Sequence, residues 1–255
     1  MTANPGSRPP PDSRTRLLRH ALNVLDCLLR EPRSLGISEV AARLALPKST
    51  TFRILHALVA LEMVHKDAAT RRYSLSSRVF GFVQELTLHF GPLARFPRVL
   101  REEAERLRAS LYVSTLSGGF TYVVAASGSR GDSFALGGQA PVHASSAGKV
   151  LVAAHPRTEW PGYAPPGNAP KLTRHTNTDP ARFLLEVADA ARRGVAWNRE
   201  ESALHYVSVA APIPEPGRAP RFAAAILIEK RELALRDTGE LEEAVRRIAR
   251  RLADV

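Results

Sequence analysis

The stretch that most constrains the fold runs from Ile37 to Leu58, ISEVAARLALPKSTTFRILHAL. It reads as two short helices joined by a tight turn. Ser38 is expected to cap the first helix, and Val40, Ala41 and Leu44 give that helix one apolar face. Pro47 disfavours helical angles at Leu46, so the first helix has to stop there, and a proline is well placed in the first turn of the next. At about 100° per residue, Thr51, Ile54, Leu55, Leu58 and Val59 fall on one side of the second helix. Ser49, Arg53, His56 and Ala60 fall on the other, flanked by Thr50 and Ala57, and no acidic group lies among them. Small residues permit close approach to a major groove, Arg can pair with guanine and hydroxyls reach phosphates. The stretch therefore predicts a helix-turn-helix with Lys48–Leu58 as the recognition helix.

The charge distribution agrees. The net charge is +11, and residues 14–78 alone hold twelve Lys/Arg against five Asp/Glu, so most of the excess sits on this quarter of the chain. A basic footprint of this kind suits a polyanion. Two short extended runs follow the recognition helix, Met63–Lys66 and Arg71–Leu75, around a polar connection. They predict a hairpin, and a hairpin in this place is a wing. The candidate DNA-binding residues are Lys48, Ser49, Thr50, Arg53 and His56 on the helix and Lys66, Arg71 and Arg72 on the wing.

Before this unit, residues 1–14 are Pro/Ser/Gly-rich and predict a disordered tail. Thr15–Arg30 predicts an amphipathic helix with Leu18, Leu22, Leu25 and Leu29 facing the core, beside Ala21 and Leu28. After the unit, Ser77–Phe90 repeats apolar residues at Val79, Phe82, Val83, Leu86 and Phe90. This predicts a linker helix over 77–92 whose sticky face pairs with its copy in a dimer. The pattern then becomes mixed. Helices are expected over Pro97–Leu111, Ser145–His155, Asp179–Arg193 and Glu240–Leu252, and strands over Leu111–Leu116, Phe120–Ala126, Val207–Ala211 and Phe222–Ile228. That composition predicts a second, mostly antiparallel α+β domain over 93–255, with the first domain over 15–76.

Cys27 is the single cysteine, which excludes an internal disulfide and a multi-thiolate metal site. His143, His155, His175 and His205 lack metal-ligand spacing. Gly148-Lys149 lacks the rest of a phosphate loop, no nucleophile elbow surrounds Ser145 and Ser146, and Glu200 and Glu201 should diverge. No catalytic residue, cofactor or metal is therefore expected. No basic segment followed by an apolar core opens the chain, and no apolar run approaches the ~20 residues of a membrane span, so a cytoplasmic protein is expected.

Four stretches together carry a resemblance. The helix-turn-helix resembles the pattern S-x-x-E-x-A-x-x-x-x-L-P-K-S-T-x-x-R-x-L, and PVHASSAGKVLVA at 141–153 resembles a stretch ending in H-A-x-x-x-G-K-A. LTRHTNTDP at 172–180 resembles L-T-x-x-T-I-T-D, and VSVAAPI at 207–213 resembles x-x-A-A-P-V. In this order they resemble the IclR family of bacterial transcriptional regulators, over residues 15–255. The resemblance implies an α+β chain with an N-terminal winged helix-turn-helix, a linker helix and a C-terminal GAF-like effector-binding domain. It implies a homodimer or homotetramer on a double-stranded DNA operator, most simply a repressor. It also implies a small-molecule effector at Ser146, Ala147, Asn198 and Ser208. Asn198 and Ser208 stand where the family often has Asp and Cys, and His205 where it usually has Gly. The run Ile226-Leu227-Ile228 replaces pocket hydroxyls and suggests an organic acid with an apolar or aromatic body. The rival readings are a ligand-binding protein that no longer binds DNA, or an enzyme built on the C-terminal domain.

Overall fold

The computed structural model describes residues 13–79, 81, 82, 85, 95–128 and 136–254. The chain divides into two compact units, residues 1–89 and 90–255.

The first unit begins with α1 (Ser13–Leu29), α2 (Ile37–Arg43) and α3 (Lys48–Ala60) and ends in a hairpin of β1 (Val64–Lys66) and β2 (Tyr73–Leu75). Leu35 and Tyr73 exchange two backbone hydrogen bonds of 2.8 Å, which adds a third short run to the wing. Leu35, Val40, Ile54, Leu55, Leu58, Val64 and Tyr73 close the core with Val24 and Leu28 of α1. The inward face of α1 differs from the expected one. Leu18, Leu22 and Leu29 are exposed, and Ala21, Val24, Leu25 and Leu28 pack inward. Two apolar stripes run along this helix, and periodicity alone does not say which one meets the core. The cap of α2 also moves. Gly36, not Ser38, is the N-cap, because the Glu39 carboxylate reaches back to accept from Gly36 N–H at 2.7 Å. Between α2 and α3, Ala45 adopts φ 50°, the left-handed turn a tight helix-turn-helix needs and an alanine takes only under strain.

The tail expected over 1–14 falls almost wholly outside the described residues, as does most of the linker helix. Residues 78, 79, 81, 82 and 85 are helical, and of its apolar face only Val79 and Phe82 are described.

The second unit is a six-stranded antiparallel sheet in the order β5-β4-β3-β8-β7-β6. Its strands are β3 (Ser110–Ser117), β4 (Phe120–Ser127), β5 (Gln139–Pro141), β6 (Ala196–Arg199), β7 (Tyr206–Pro212) and β8 (Phe222–Glu229). One face carries α4 (Phe96–Leu107) and the closing α8 (Thr238–Ala253), whose Leu241, Val245, Ile248 and Leu252 point inward as expected. The other carries α5 (Ser146–Ala153) and α6 (Pro180–Arg193). A short α7 (Lys230–Leu233) follows β8. Asp179 caps α6 by accepting from Ala181 N–H at 2.8 Å, and Gly194 ends it at φ 68°. The helix expected over 97–111 stops at Leu107, because Arg108 turns left-handed at φ 50° and frees Ser110 to start β3.

Candidate functional site

On the first unit, the outward side of α3 carries Lys48, Ser49, Phe52, Arg53 and His56, all exposed, with Thr50 half-buried. Thr51 is fully buried and its hydroxyl donates to Pro47 O at 3.1 Å, so it braces the first turn. Phe52 is absent from the residues read off the sequence, although it lies three after Ser49 and four before His56. Its spacing was the available signal.

The wing turn is tied by Asp67, whose carboxylate accepts from Thr70 N–H at 2.6 Å and Thr70 Oγ1 at 2.8 Å. The backbone hydrogen bond from Thr70 is the main reason the Asp67 carboxyl titrates below its usual range. Lys66 and Arg71 are exposed. Arg72 is placed differently from its two neighbours. Its guanidinium turns into the unit, where it donates to Ser34 O and to Glu39, so its charge is already partnered. A sequence with three wing cations gives no sign that one faces inward.

On the second unit, a cavity of about 220 Å³ opens beside the amino end of α5. β3 and β4 supply Tyr112, Ser114, Thr121 and Val123, with a bulge at Val113/Ser114 that re-aims the strand beside the cavity. Ser145, the N-cap of α5, lies on the wall and accepts from Gly148 N–H and from Thr121 Oγ1, each at 3.1 Å. Gly148 is required here, since a Cβ would lie 2.7 Å from Val142 O.

Of the four effector residues implied by the resemblance, Asn198 reaches this wall. Its Nδ2 donates to Ser202 Oγ at 2.7 Å, and its Oδ1 accepts from Glu201 N–H at 2.8 Å. Ser146 and Ser208 lie a layer deeper, fully buried and 2.8 Å apart through their hydroxyls, with Tyr112 Oη donating to Ser208 at 3.2 Å. Burial pushes the Tyr112 phenol up. Ala147 is packed in the core beneath the sheet. The expectation that Ile226–Ile228 would hold a ligand body is overturned. β8 is a central strand covered on both faces, with Ile226 and Ile228 against α8 and Leu227 against α5. The hydroxyl-bearing residues the sequence reading missed had one signal, the alternation of Tyr112 and Ser114 with Leu111 and Val113. Gln139 and Ser202 had none.

The turn after Asn198 is held from the other side. Thr173 Oγ1 donates to Glu200 O and Thr176 Oγ1 to Glu201 O, both at 2.7 Å, so the L-T-x-x-T stretch anchors the cavity's edge. Lys149 is buried and places its ammonium 2.6 Å from Glu201 Oε2, 2.8 Å from Glu186 Oε2 and 3.3 Å from Trp197 O. It is a structural cation, not a phosphate-loop lysine. Burial raises the Glu201 carboxyl, and Lys149 opposes that shift. Glu200 points away to Lys230 and His205 N–H, so the two carboxylates diverge. Among the described residues no group of three or more His, Cys, Asp or Glu is placed to hold a metal, and no helix is long and apolar enough to cross a membrane.

Comparison with known proteins supplies the context for both sites. Residues 17–68 match the model of the IclR helix-turn-helix domain, and residues 95–254 match that of the bacterial transcriptional regulator IclR C-terminal domain. The chain is 30% identical to the glycerol operon regulatory protein of Streptomyces coelicolor over 91% of its own length and 93% of that protein's. It is 26% identical to the HTH-type transcriptional regulator BhcR of Paracoccus denitrificans, over 93% and 86%. Among solved structures, it is similar to the IclR transcriptional regulator of Alicyclobacillus acidocaldarius, with a TM-score of 0.72 at 19% identity over 94% and 98% of the two chains. It is similar also to an IclR homolog from Microbacterium hydrocarbonoxydans complexed with 4-hydroxybenzoate, with a TM-score of 0.71 at 21% identity over 93% and 98%.

Proposed function

Since the chain belongs to the IclR family of bacterial transcriptional regulators, we propose that it is a cytoplasmic, non-enzymatic repressor released from its operator by a small organic acid. The family makes it a DNA-binding regulator with an effector domain. The observation that carries the finer reading is the cavity at Asn198, lined by hydroxyls and amides together with Tyr112 and Val123. At about 220 Å³ it lies below the range of drug-sized sites, so the effector is small. Tyr112 and Val123 offer its body an apolar surface, while Asn198, Ser202 and Thr121 orient its polar end. The acid bound in the Microbacterium relative makes 4-hydroxybenzoate the first probe.

DNA is held by Lys48, Ser49, Thr50, Arg53 and His56 of α3 and by Lys66 and Arg71 of the wing. The helical residues 78, 79, 81, 82 and 85 support the reading of a linker helix after the wing. The protein works as a homodimer or homotetramer, and the exposed Leu17, Leu18, Leu22 and Leu29 of α1, with Phe82, support an interface between copies.

The test is a gel shift on the DNA upstream of the protein's own coding sequence, with and without 4-hydroxybenzoate, beside a thermal melt. A ligand of the folded state raises the melting temperature, and one that favours the DNA-free arrangement lowers operator affinity. A melt and an affinity both unmoved by 4-hydroxybenzoate and by smaller carboxylic acids would rule out the organic-acid reading. Loss of repression in a reporter strain on adding the acid would establish the sign.

A further inference from the structure

We infer that Phe52 reads the C5-methyl group of a thymine in the major groove, and so fixes a base at one position of the DNA site. The inference rests on the DNA-binding reading above. Phe52 sits in the middle of α3 and leaves 49% of its surface exposed, while Thr51, Ile54, Leu55 and Leu58 of the same helix supply the core. The phenyl ring is not part of the unit's hydrophobic core. Its direction is set, however, because it leans on the exposed His56 ring with centroids 6.0 Å apart and planes at 35°.

The surroundings select the partner. Ser49, Arg53 and His56 border Phe52 and all are polar, so the apolar patch on this face of α3 is one side chain wide. Protein interfaces bury hundreds of square ångströms on each partner, which one ring does not supply. The only alkyl group that projects from the major-groove edge of DNA is the thymine methyl; adenine and guanine present acceptors and donors there, and cytosine presents only a C5–H beside its N4 amino donor. Set against thymine, the ring buries a methyl. Set against adenine or guanine, it covers a polar group that is left without a partner, and set against cytosine it finds no methyl to bury. The preference therefore arises from both sides, and it complements hydrogen bonding by Arg53 one residue along.

The test uses the full-length protein and a randomised pool of duplex DNA. Sites are selected with the wild-type chain, and each thymine of the selected site is then replaced in turn by deoxyuridine, which lacks only the methyl. At one thymine per recognition helix the replacement should weaken wild-type binding about fourfold, the worth of burying one methyl-sized group. Phe52→Ala should bind the thymine and deoxyuridine duplexes equally, and Phe52→Leu should keep part of the difference. Because Phe52 lies outside the core, both variants should melt as the wild type does. If no deoxyuridine weakens the wild type, or if Phe52→Ala discriminates as the wild type does, the inference is overturned while DNA binding stands. If the wild type enriches no sequence, the DNA-binding reading falls and takes the inference with it. A change of oligomeric state in Phe52→Ala would assign the ring to a second copy of the chain instead.

Discussion

Arg72 Nη2 lies 2.7 Å from Glu39 Oε2, and the same guanidinium donates twice to Ser34 O, at 3.0 and 2.8 Å. The base of the wing is thereby tied to the first turn of α2 and to the loop before it. Glu39 also holds Gly36 N–H, and that backbone hydrogen bond leads the causes that lower its carboxyl pKa.

The two neighbouring wing arginines should therefore separate. Arg71→Ala should reduce the slope of log affinity against log salt by about 0.9, the share of one phosphate contact. Arg72→Ala should leave that slope nearly unchanged and lower the melting temperature. Equal slope changes in both variants would show that Arg72 leaves Glu39 when DNA is present.

Lys149 is 2% exposed and faces two carboxylates. Removing one partner of such a buried pair leaves an uncompensated charge. Lys149→Met should destabilise the protein by about 3–5 kcal/mol in urea unfolding. Glu201→Gln should cost less, since Glu186 still faces the ammonium. The reverse ranking would show that Glu186 does not stand in for Glu201 beside the ammonium.

Asn198 and Ser208 are cross-strand partners in the β6/β7 ladder, but only Asn198 lines the cavity. Asn198→Ala should weaken binding of an acid that raises the melting temperature by about three- to tenfold, the range of one neutral hydrogen bond. Ser208→Ala should change that binding by less than about twofold and cost about 1 kcal/mol of stability by taking a partner from Tyr112 and Ser146. Titration calorimetry and urea unfolding of both variants decide the matter. A larger binding loss at Ser208 would put the effector against the Ser146 and Ser208 hydroxyls instead.

Glu200 carries a pH dependence of definite sign. The Lys230 hydrogen bond, followed by that from His205 N–H, holds its carboxyl down to about 2 from the usual 4.5. A carboxyl lowered on folding stabilises the folded state fully above its unfolded value, and the contribution is lost as pH falls through the folded one. Lys230→Met should thus cost stability near neutral pH and flatten the acid loss between about 4.5 and about 2. Melting temperatures of wild type and variant across that window provide the check. Parallel curves would show that Glu200 keeps its low pKa without Lys230.

Local chemistry wrote much of this protein into its sequence. Pro47 set the start of α3, Asp179 and Gly194 bounded α6, and the periodicity of Leu241, Val245, Ile248 and Leu252 named the inward face of α8. These signals are legible because capping, backbone angles and helix period act within a few residues. Four spaced stretches were enough to point to the family. The tertiary structure decided what depends on partners distant in sequence. It chose between two apolar stripes on α1, turned Arg72 onto Glu39 thirty-three residues away, and buried Ile226–Ile228 by making β8 a central strand. It also set Tyr112 across Ser208 from a strand 96 residues distant, which left Asn198 on the cavity wall and its expected companions beneath it. A side chain's type and spacing state what it can do, but which surface it meets is settled only when the remaining elements have packed.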